Sequence, residues 1–466
     1  MPFSAYLDAQ RQNCRELVTE LSKTFSYVSI LGADVTDTRY QANRNVSNVA
    51  EGMSERGFVV KLSNGRSFFE YSLDDVSGDK QALAAKIAAA VETDPALAAA
   101  MISGEAVADE PMQKDFLRQS DFEQYTDEAL LKQCVTLKDE LLKKDEKIVN
   151  AIAMLETYSV SKLFLTKNRE LSQHYGWANG YTMVVYNADG RMVMARSGQN
   201  SHLMADVLDR LPKGLDKLVE KARNLSKAKP IEPGVYDVIT DPSITGLIAH
   251  EAFGHGVEMD QFVKDRALAK DYVGKAVASP ITSMRDGAAA TLSAASYFFD
   301  DDGVLAHDTQ IIKDGILVAG LSDLVSANEL GTEPTGNGRR QSYKRKAYSR
   351  MTNTFFEKGN DRLEDMIASI EHGYMLFETN NGMEDPKNWQ IQCSAEYGIE
   401  IKDGKLTDNY VSPVVMSGSV PDLLKSISMI SGDFKIEGAG MCGKGYKEWV
   451  RVSDGGPALK VRVKLG

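Results

Sequence analysis

Cysteine is scarce in this sequence: its four copies, Cys14, Cys134, Cys393 and Cys442, are scattered and form no close pair. That spacing excludes a dense disulfide framework and suits reduced thiols, so a cytoplasmic location is expected. Positive charge is also short, with 54 Lys and Arg against 66 Asp and Glu and a formal net charge of -12. Nucleic-acid binding normally concentrates positive charge, so no nucleic-acid partner is expected. No apolar run approaches the ~20 residues that cross a bilayer. The first eight residues lack a basic stretch followed by a hydrophobic one, so neither a membrane span nor a secretory signal is expected. Proline, at 13 residues, is not in excess, and 43% hydrophobic residues make the composition globular rather than disordered.

A chain of 466 residues is longer than one hydrophobic core usually supports, so two or three domains are expected. The expected class is α+β. Small α+β units over residues 1–111 and 112–229 precede a larger C-terminal domain, 230–466, with an antiparallel β framework. In the first unit a helix covers Ser4 to about Phe25, followed by strand-like segments at Tyr27–Leu31, Arg39–Val46, Gly57–Leu62 and Arg66–Tyr71. Asn64-Gly65 is a hairpin signal between the last two, and helical patterning returns from Lys80 to Val91. The second unit opens with a helix over Asp127–Lys143. It alternates as strand from Lys147 to Ser197, with a turn at Asn187–Gly190, and becomes helical from Met204 to Leu225 with a break at Pro212-Lys213-Gly214. The segment from Lys227 to Gly234, with two prolines, reads as a connector. Neither unit carries an evident catalytic motif, and His174 and His202 stand alone in polar surroundings.

What the sequence does contain is His250-Glu251-Ala252-Phe253-Gly254-His255. Neutral imidazoles are ligands for a zinc-like ion, and a carboxylate beside them can take a proton from water. Glu251 is the candidate base. In the common H-E-x-x-H motif the histidines share a helix face at a spacing of four. Here they are five apart, which is about 140° round a regular helix of ~3.6 residues per turn. One ion can be reached from both only if the helix bulges or ends between them. Gly254 and Gly256 permit either. The strand-like stretch Gly234–Thr240 leads in, Asp241-Pro242 reads as an N-cap and first-turn proline, and Ile244, Leu247 and Ile248 continue an apolar stripe.

Two histidines do not complete a catalytic zinc site, which usually has three protein ligands. Cys442 sits in the glycine-rich stretch Gly438–Gly445, where a thiolate can approach closely and Lys444 would favour its deprotonated form. Spacing alone leaves Glu258, His307 and Cys393 as rivals for the third position. The run Asp300-Asp301-Asp302-Gly303 lacks the alternating ligands of a calcium loop and predicts a hairpin turn. Six basic residues lie between Arg339 and Arg350. They read as a solvated loop, as a binder of peptide carboxylates or carbonyls, or, last, as a nucleic-acid contact.

The stretch from His250 to Asp260, HEAFGHGVEMD, resembles the metal-binding segment of the TldD/PmbA metallopeptidase family, in its HExxxH-bearing TldD-like branch. Matching segments follow in order: Phe299–Val304, Thr335–Arg340, Arg350–Thr354 and a glycine-bounded Cys442. The resemblance runs from about Gly234 to the end of the chain. It implies a zinc-dependent peptidase acting on short or unfolded peptides in a cleft formed by a dimer, with His250, His255 and Cys442 as zinc ligands and Glu251 as base. It also implies a partner, either a second copy or a metal-less paralogue of the PmbA-like branch. The chain departs from the family where a glycine-rich segment is expected after Tyr374: Glu378–Asp385 stands in its place.

Overall fold

The structure is a computed structural model that describes residues 2–65, 67–92, 109–445 and 447–466. Its N-terminal part is built on one eight-stranded sheet. The strands are β1 (Tyr27–Ala42), β2 (Ser47–Glu51), β3 (Glu55–Ser63), β4 (Phe68–Leu73), β5 (Met112–Leu117), β6 (Ile148–Leu165), β7 (Arg169–Ala188) and β8 (Arg191–Ser201). They run in the order β4-β3-β1-β6-β7-β5, with β2 on β1 and β8 on β7. The boundary expected at residues 111 and 112 falls between two strands of this single sheet. The long pairing of β1 with β6, from Ile30 opposite Leu165 to Ala42 opposite Ala153, crosses it.

Tyr27–Leu31 and Arg39–Val46 are not separate strands: β1 runs from the first into the second and ends at Ala42. Its first seven residues are all buried, and beyond them it alternates with the buried Asp37 at an inward position, so no run of alternating apolar residues marks the join. The Arg66 at which the fourth strand was expected to start lies outside the described residues, and the observed strand begins at Phe68. Helices α1 (Ala5–Leu21) and α2 (Lys80–Glu92) close one core with Leu7, Leu17, Phe58, Val60 and Leu163. Helices α3 (Asp127–Lys144), α4 (Met204–Lys213) and α5 (Leu215–Leu225) close a second, with Leu137, Leu155, Val207 and Leu218.

The C-terminal part begins with β9 (Gly234–Thr240). Residues 284–356 supply β10 (Met284–Asp286), β11 (Thr309–Lys313), β12 (Ile316–Leu317), β13 (Gly338–Arg339), β14 (Tyr348–Ser349) and β15 (Asn353–Phe356). The chain ends in β16 (His372–Asp385), β17 (Gln390–Lys402), β18 (Lys405–Val411), β19 (Val414–Ser419), β20 (Met429–Ile430), β21 (Lys435–Lys444), β22 (Lys447–Gly456) and β23 (Leu459–Leu465). Strands β16, β9, β23, β19 and β17 pair in turn, and β17 pairs back onto β16, so this sheet closes on itself. The framework is mainly antiparallel, with parallel pairs at β9–β16 and β15–β22. A six-stranded sheet, β12-β11-β10-β15-β22-β21, packs alongside and carries Cys442 on β21.

The two parts meet through buried charge. Lys61 pairs with Asp302 and, at 3.2 Å, with Glu70; Lys162 pairs with Asp301; Arg451 reaches Glu156 at 3.1 Å and Asp37 at 3.4 Å. The Asp300–Gly303 segment is a turn, as expected, with Gly303 at φ 76° and Phe299 bridged to Leu305. Its carboxylates are buried and do not face solvent. Replacing Lys61 by Met strands Asp302 without its cation, and breaking such a buried pair costs ~3–5 kcal/mol. The Lys61→Met chain is therefore expected to unfold at clearly lower urea concentration. An unchanged midpoint would show that this pair does not hold the two parts together.

Candidate metal centre

The site starts at the end of β9. Asp241 caps the helix α6 (Pro242–Leu247) by accepting a hydrogen bond from the Ile244 amide at 2.8 Å, and Pro242 occupies the first turn. The apolar residues Ile244, Leu247, Ile248 and Phe253 enter the main C-terminal core. Each such side chain contributes roughly 1.5–3 kcal/mol on burial. Close seating needs a glycine: a Cβ on Gly246 would lie 2.4 Å from the Gly455 amide nitrogen on β22.

From Ile248 to Gly254 the helix widens into a π turn, then tightens to a 3₁₀ turn at His255–Val257. The His255 amide donates to the His250 carbonyl, a five-residue reach that makes the awkward spacing one full turn. Gly254 allows the wide turn to pack, because a Cβ there would lie 2.0 Å from Met351 Sδ.

This geometry brings His250 Nε2 to 3.1 Å from Cys442 Sγ and His255 Nε2 to 3.3 Å from the same sulfur. The three donor atoms all lie within 4.8 Å of one another. Among the described residues no other group of this kind includes Glu258, His307 or Cys393. Glu258 instead lies 3.2 Å from His255 Nδ1, a contact that turns the ring's Nε2 toward the sulfur. His307 is exposed on a loop. Cys393 is buried on β17, and burial, with Glu251 and Glu384 adding, keeps its thiol well above the ordinary value.

Burial acts to raise the pKa of Cys442, yet the facing imidazoles of His250 and His255 outweigh it and hold the thiol well below its usual value. Lys444 has a different task from the one expected. Its ammonium binds Glu258 at 3.0 Å, Asp260 at 2.6 Å and the Ser349 carbonyl at 3.1 Å. Glu258 is also paired with Arg350 at 3.3 Å. Burial opposes its ionisation, but Lys444, His255 and Arg350 together keep it strongly acidic. Arg350 further donates to the Cys442 carbonyl at 2.9 Å and to that of Glu448, clamping both strands of the hairpin that carries the thiol. Sequence reading did not single out Arg350; its signal was only membership of a basic run. That run divides. Lys344, Arg345 and Lys346 are exposed, whereas Arg340 is buried against Glu70, Arg350 is buried here, and Arg339 donates to the Met351 and Arg451 carbonyls, both at 2.6 Å.

Two imidazole nitrogens and a thiolate, held with their partners in place, form a donor set suited to a zinc-like ion. They line a cleft of about 890 Å³ together with Glu251, residues 379–387 of the β16–β17 hairpin, Met441 and Trp449. Glu251 stands beneath that hairpin: a Cβ on Gly382 would lie 2.5 Å from Glu251 Cγ. Glu384 also faces the cleft. Burial pushes its carboxyl well above the usual range, opposed by His255 and reinforced by Glu251. His174 lies apart from this group, hydrogen-bonded to Ser161 at 2.9 Å, and burial lowers its pKa to about 4. Among the described residues no helix is long and apolar enough to cross a membrane.

Residues 233–464 match the PmbA/TldA metallopeptidase C-terminal domain. A metalloprotease from Methanothermobacter thermautotrophicus is 33% identical over 52% of this chain and 52% of its own. A zinc metalloprotease TldD homolog from Saccharolobus solfataricus is 32% identical over 56% of this chain and 58% of its own. The matched region thus spans about half the length of these relatives. In structure, a protein from Thermotoga maritima described as a candidate modulator of DNA gyrase superposes with a TM-score of 0.76 at 17% identity, covering 97% of this chain and 98% of that one. TldE from Thermococcus kodakarensis superposes at 0.73 and 18% identity, covering 97% and 100%. These two likenesses show the shared fold. The domain match and the metalloprotease relatives identify the chain as a member of the TldD/PmbA metallopeptidase family.

Proposed function

We propose that this chain is a zinc-dependent peptidase that hydrolyses peptide bonds in short or unfolded peptides. The observation that carries the reading is the meeting of His250 and His255 with Cys442, 187 residues further on, beside Glu251 in an open cleft. His250, His255 and Cys442 would hold the ion. When bound, it supplies Lewis-acid polarisation of a carbonyl and makes water more acidic.

The remaining chemistry falls to the protein. Glu251 takes the proton of the attacking water and returns it to the departing amine. Glu258 holds His255 in one tautomer, and Lys444 and Arg350 keep Glu258 ionised and the Cys442 strand fixed. The β16–β17 hairpin packs on Glu251 through Gly382 and holds its side chain in the cleft. Purified protein should carry about one zinc per chain, cleave a short unstructured peptide, and lose that activity to a chelator. Metal-free protein with full activity would overturn the reading. A non-catalytic regulatory subunit is the alternative, and the convergence of all three donors weighs against it. A cytoplasmic setting belongs to the same reading, since all four cysteines are unpaired.

We further propose that the active form is a dimer, of two copies in preference to one copy with a metal-less paralogue, because this chain holds a full donor set. A two-fold assembly is the usual oligomeric solution and would limit the cleft to flexible chains. Light scattering on the active fraction is expected to report twice the chain mass of 51.2 kDa. A fully active monomer would exclude the dimer, and rescue of an inactive chain by a paralogue would favour the mixed form.

A further inference from the structure

Glu384 has no part in the mechanism above, yet it lines the same cleft near the end of β16. Neither of its buried carboxylate oxygens has a hydrogen bond of good geometry, the Gly256 amide being the donor that faces it, and no ion pair involves it among the described residues. Buried carboxylates are normally paired, because an isolated one is costly to remove from water. His255 favours the charge of Glu384 from across the cleft, but it is not paired with it, and Glu251 and Glu258 act the other way. The protein also makes room there: a Cβ on Gly256 would sit 2.8 Å from Glu384 Oε1. The missing partner is therefore a cation that arrives through the cleft.

We propose that Glu384 binds the free α-amino group of the peptide substrate, so that the chain removes residues from the amino terminus. This rests on the peptidase reading and adds the substrate class. Spacing supports it. Gly382 packs on Glu251, and Glu384 is two residues further along the same strand, on the same face and roughly 7 Å away at ~3.3 Å per residue. An ammonium held by Glu384 then leaves room for one amino-acid unit before the bond beside Glu251.

The test compares a leucyl tripeptide with its N-acetylated form on the zinc-loaded protein. The free peptide is expected to lose its first residue, with kcat/KM about 100-fold or more above that of the acetylated one, as loss of one partner of a buried charge pair implies. In Glu384→Gln the free peptide should fall toward the acetylated level, mainly through KM, with zinc content unchanged. A second readout needs no turnover: calorimetry on metal-free protein should show leucine amide binding, weakened in Glu384→Gln, and no binding of N-acetyl-leucine amide. Equal cleavage of both peptides, cleavage of an acetylated peptide beside an internal lysine, or unchanged leucine amide binding in Glu384→Gln would overturn the inference. If the zinc-loaded protein cleaves neither peptide yet binds leucine amide through Glu384, the peptidase reading fails and the amine site stands.

Discussion

The Glu251→Gln chain is expected to keep its zinc and to lose peptide cleavage by ~100- to 10,000-fold. The amide has nearly the shape of the carboxylate, so the packing beneath Gly382 is preserved. It cannot accept and return a proton, so the water is left without a base. Metal is expected to stay because the three donors are His250, His255 and Cys442, whose atoms converge without Glu251. Two measurements on one preparation decide the matter, metal content and kcat for a short peptide. Wild-type turnover would remove Glu251 from the mechanism, whereas loss of metal together with activity would make Glu251 a ligand. A fall in kcat with KM little changed is the signature of a group acting in the transition state alone.

Much of this site was legible in the chain, because its parts are local. The His-Glu-x-x-x-His segment, its Asp241 cap and its apolar stripe all lie within a few turns of one another, and the structure places them as their spacing suggests. The five-residue spacing even forecast a helix irregularity, which is the π turn observed. What could not be read were contacts made across the fold. Lys444 looked like a neighbour for Cys442 by adjacency, but β21 shifts register between the two residues, and Glu258 and Asp260 draw the ammonium to themselves. Arg350 looked like one more basic residue in a solvated run, and only the approach of β21 and β22 turns it into a buried clamp. That one sheet continues across the division expected at residue 111 was hidden for a similar reason. In β1 the first seven residues are buried without a break and a buried Asp37 takes an inward position beyond them, so apolar alternation does not mark the strand, and its partner β6 lies more than a hundred residues away. Glu384 could be seen only as a departure from the family pattern, since nothing in a sequence shows that a carboxylate will be buried unpaired.

Cys442→Ala is expected to reduce bound zinc from about one per chain to near zero and to abolish peptide cleavage, while Cys393→Ala retains both. The two thiols were rivals by spacing, and geometry separates them. Cys442 lies 3.1 and 3.3 Å from the imidazole nitrogens of His250 and His255, and those imidazoles hold it toward the thiolate. Cys393 is buried beside Glu251 and Glu384, which with burial keep its proton on. Thiolate is the metal-binding form, so only Cys442 is prepared as a ligand. Removing it leaves two nitrogens, fewer than the three protein ligands of a catalytic zinc site. A ligand that binds only the folded chain raises its stability by mass action, so added zinc should raise the Tm of wild type and of Cys393→Ala but not of Cys442→Ala. Comparing the metal-free proteins separates loss of the ion from loss of the fold: Cys442→Ala should still melt cooperatively near the metal-free wild type, because β21 and β22 keep their backbone pairing at this position. Full zinc content in Cys442→Ala would refute the donor set, and loss of zinc in Cys393→Ala would show that the third ligand had been misassigned.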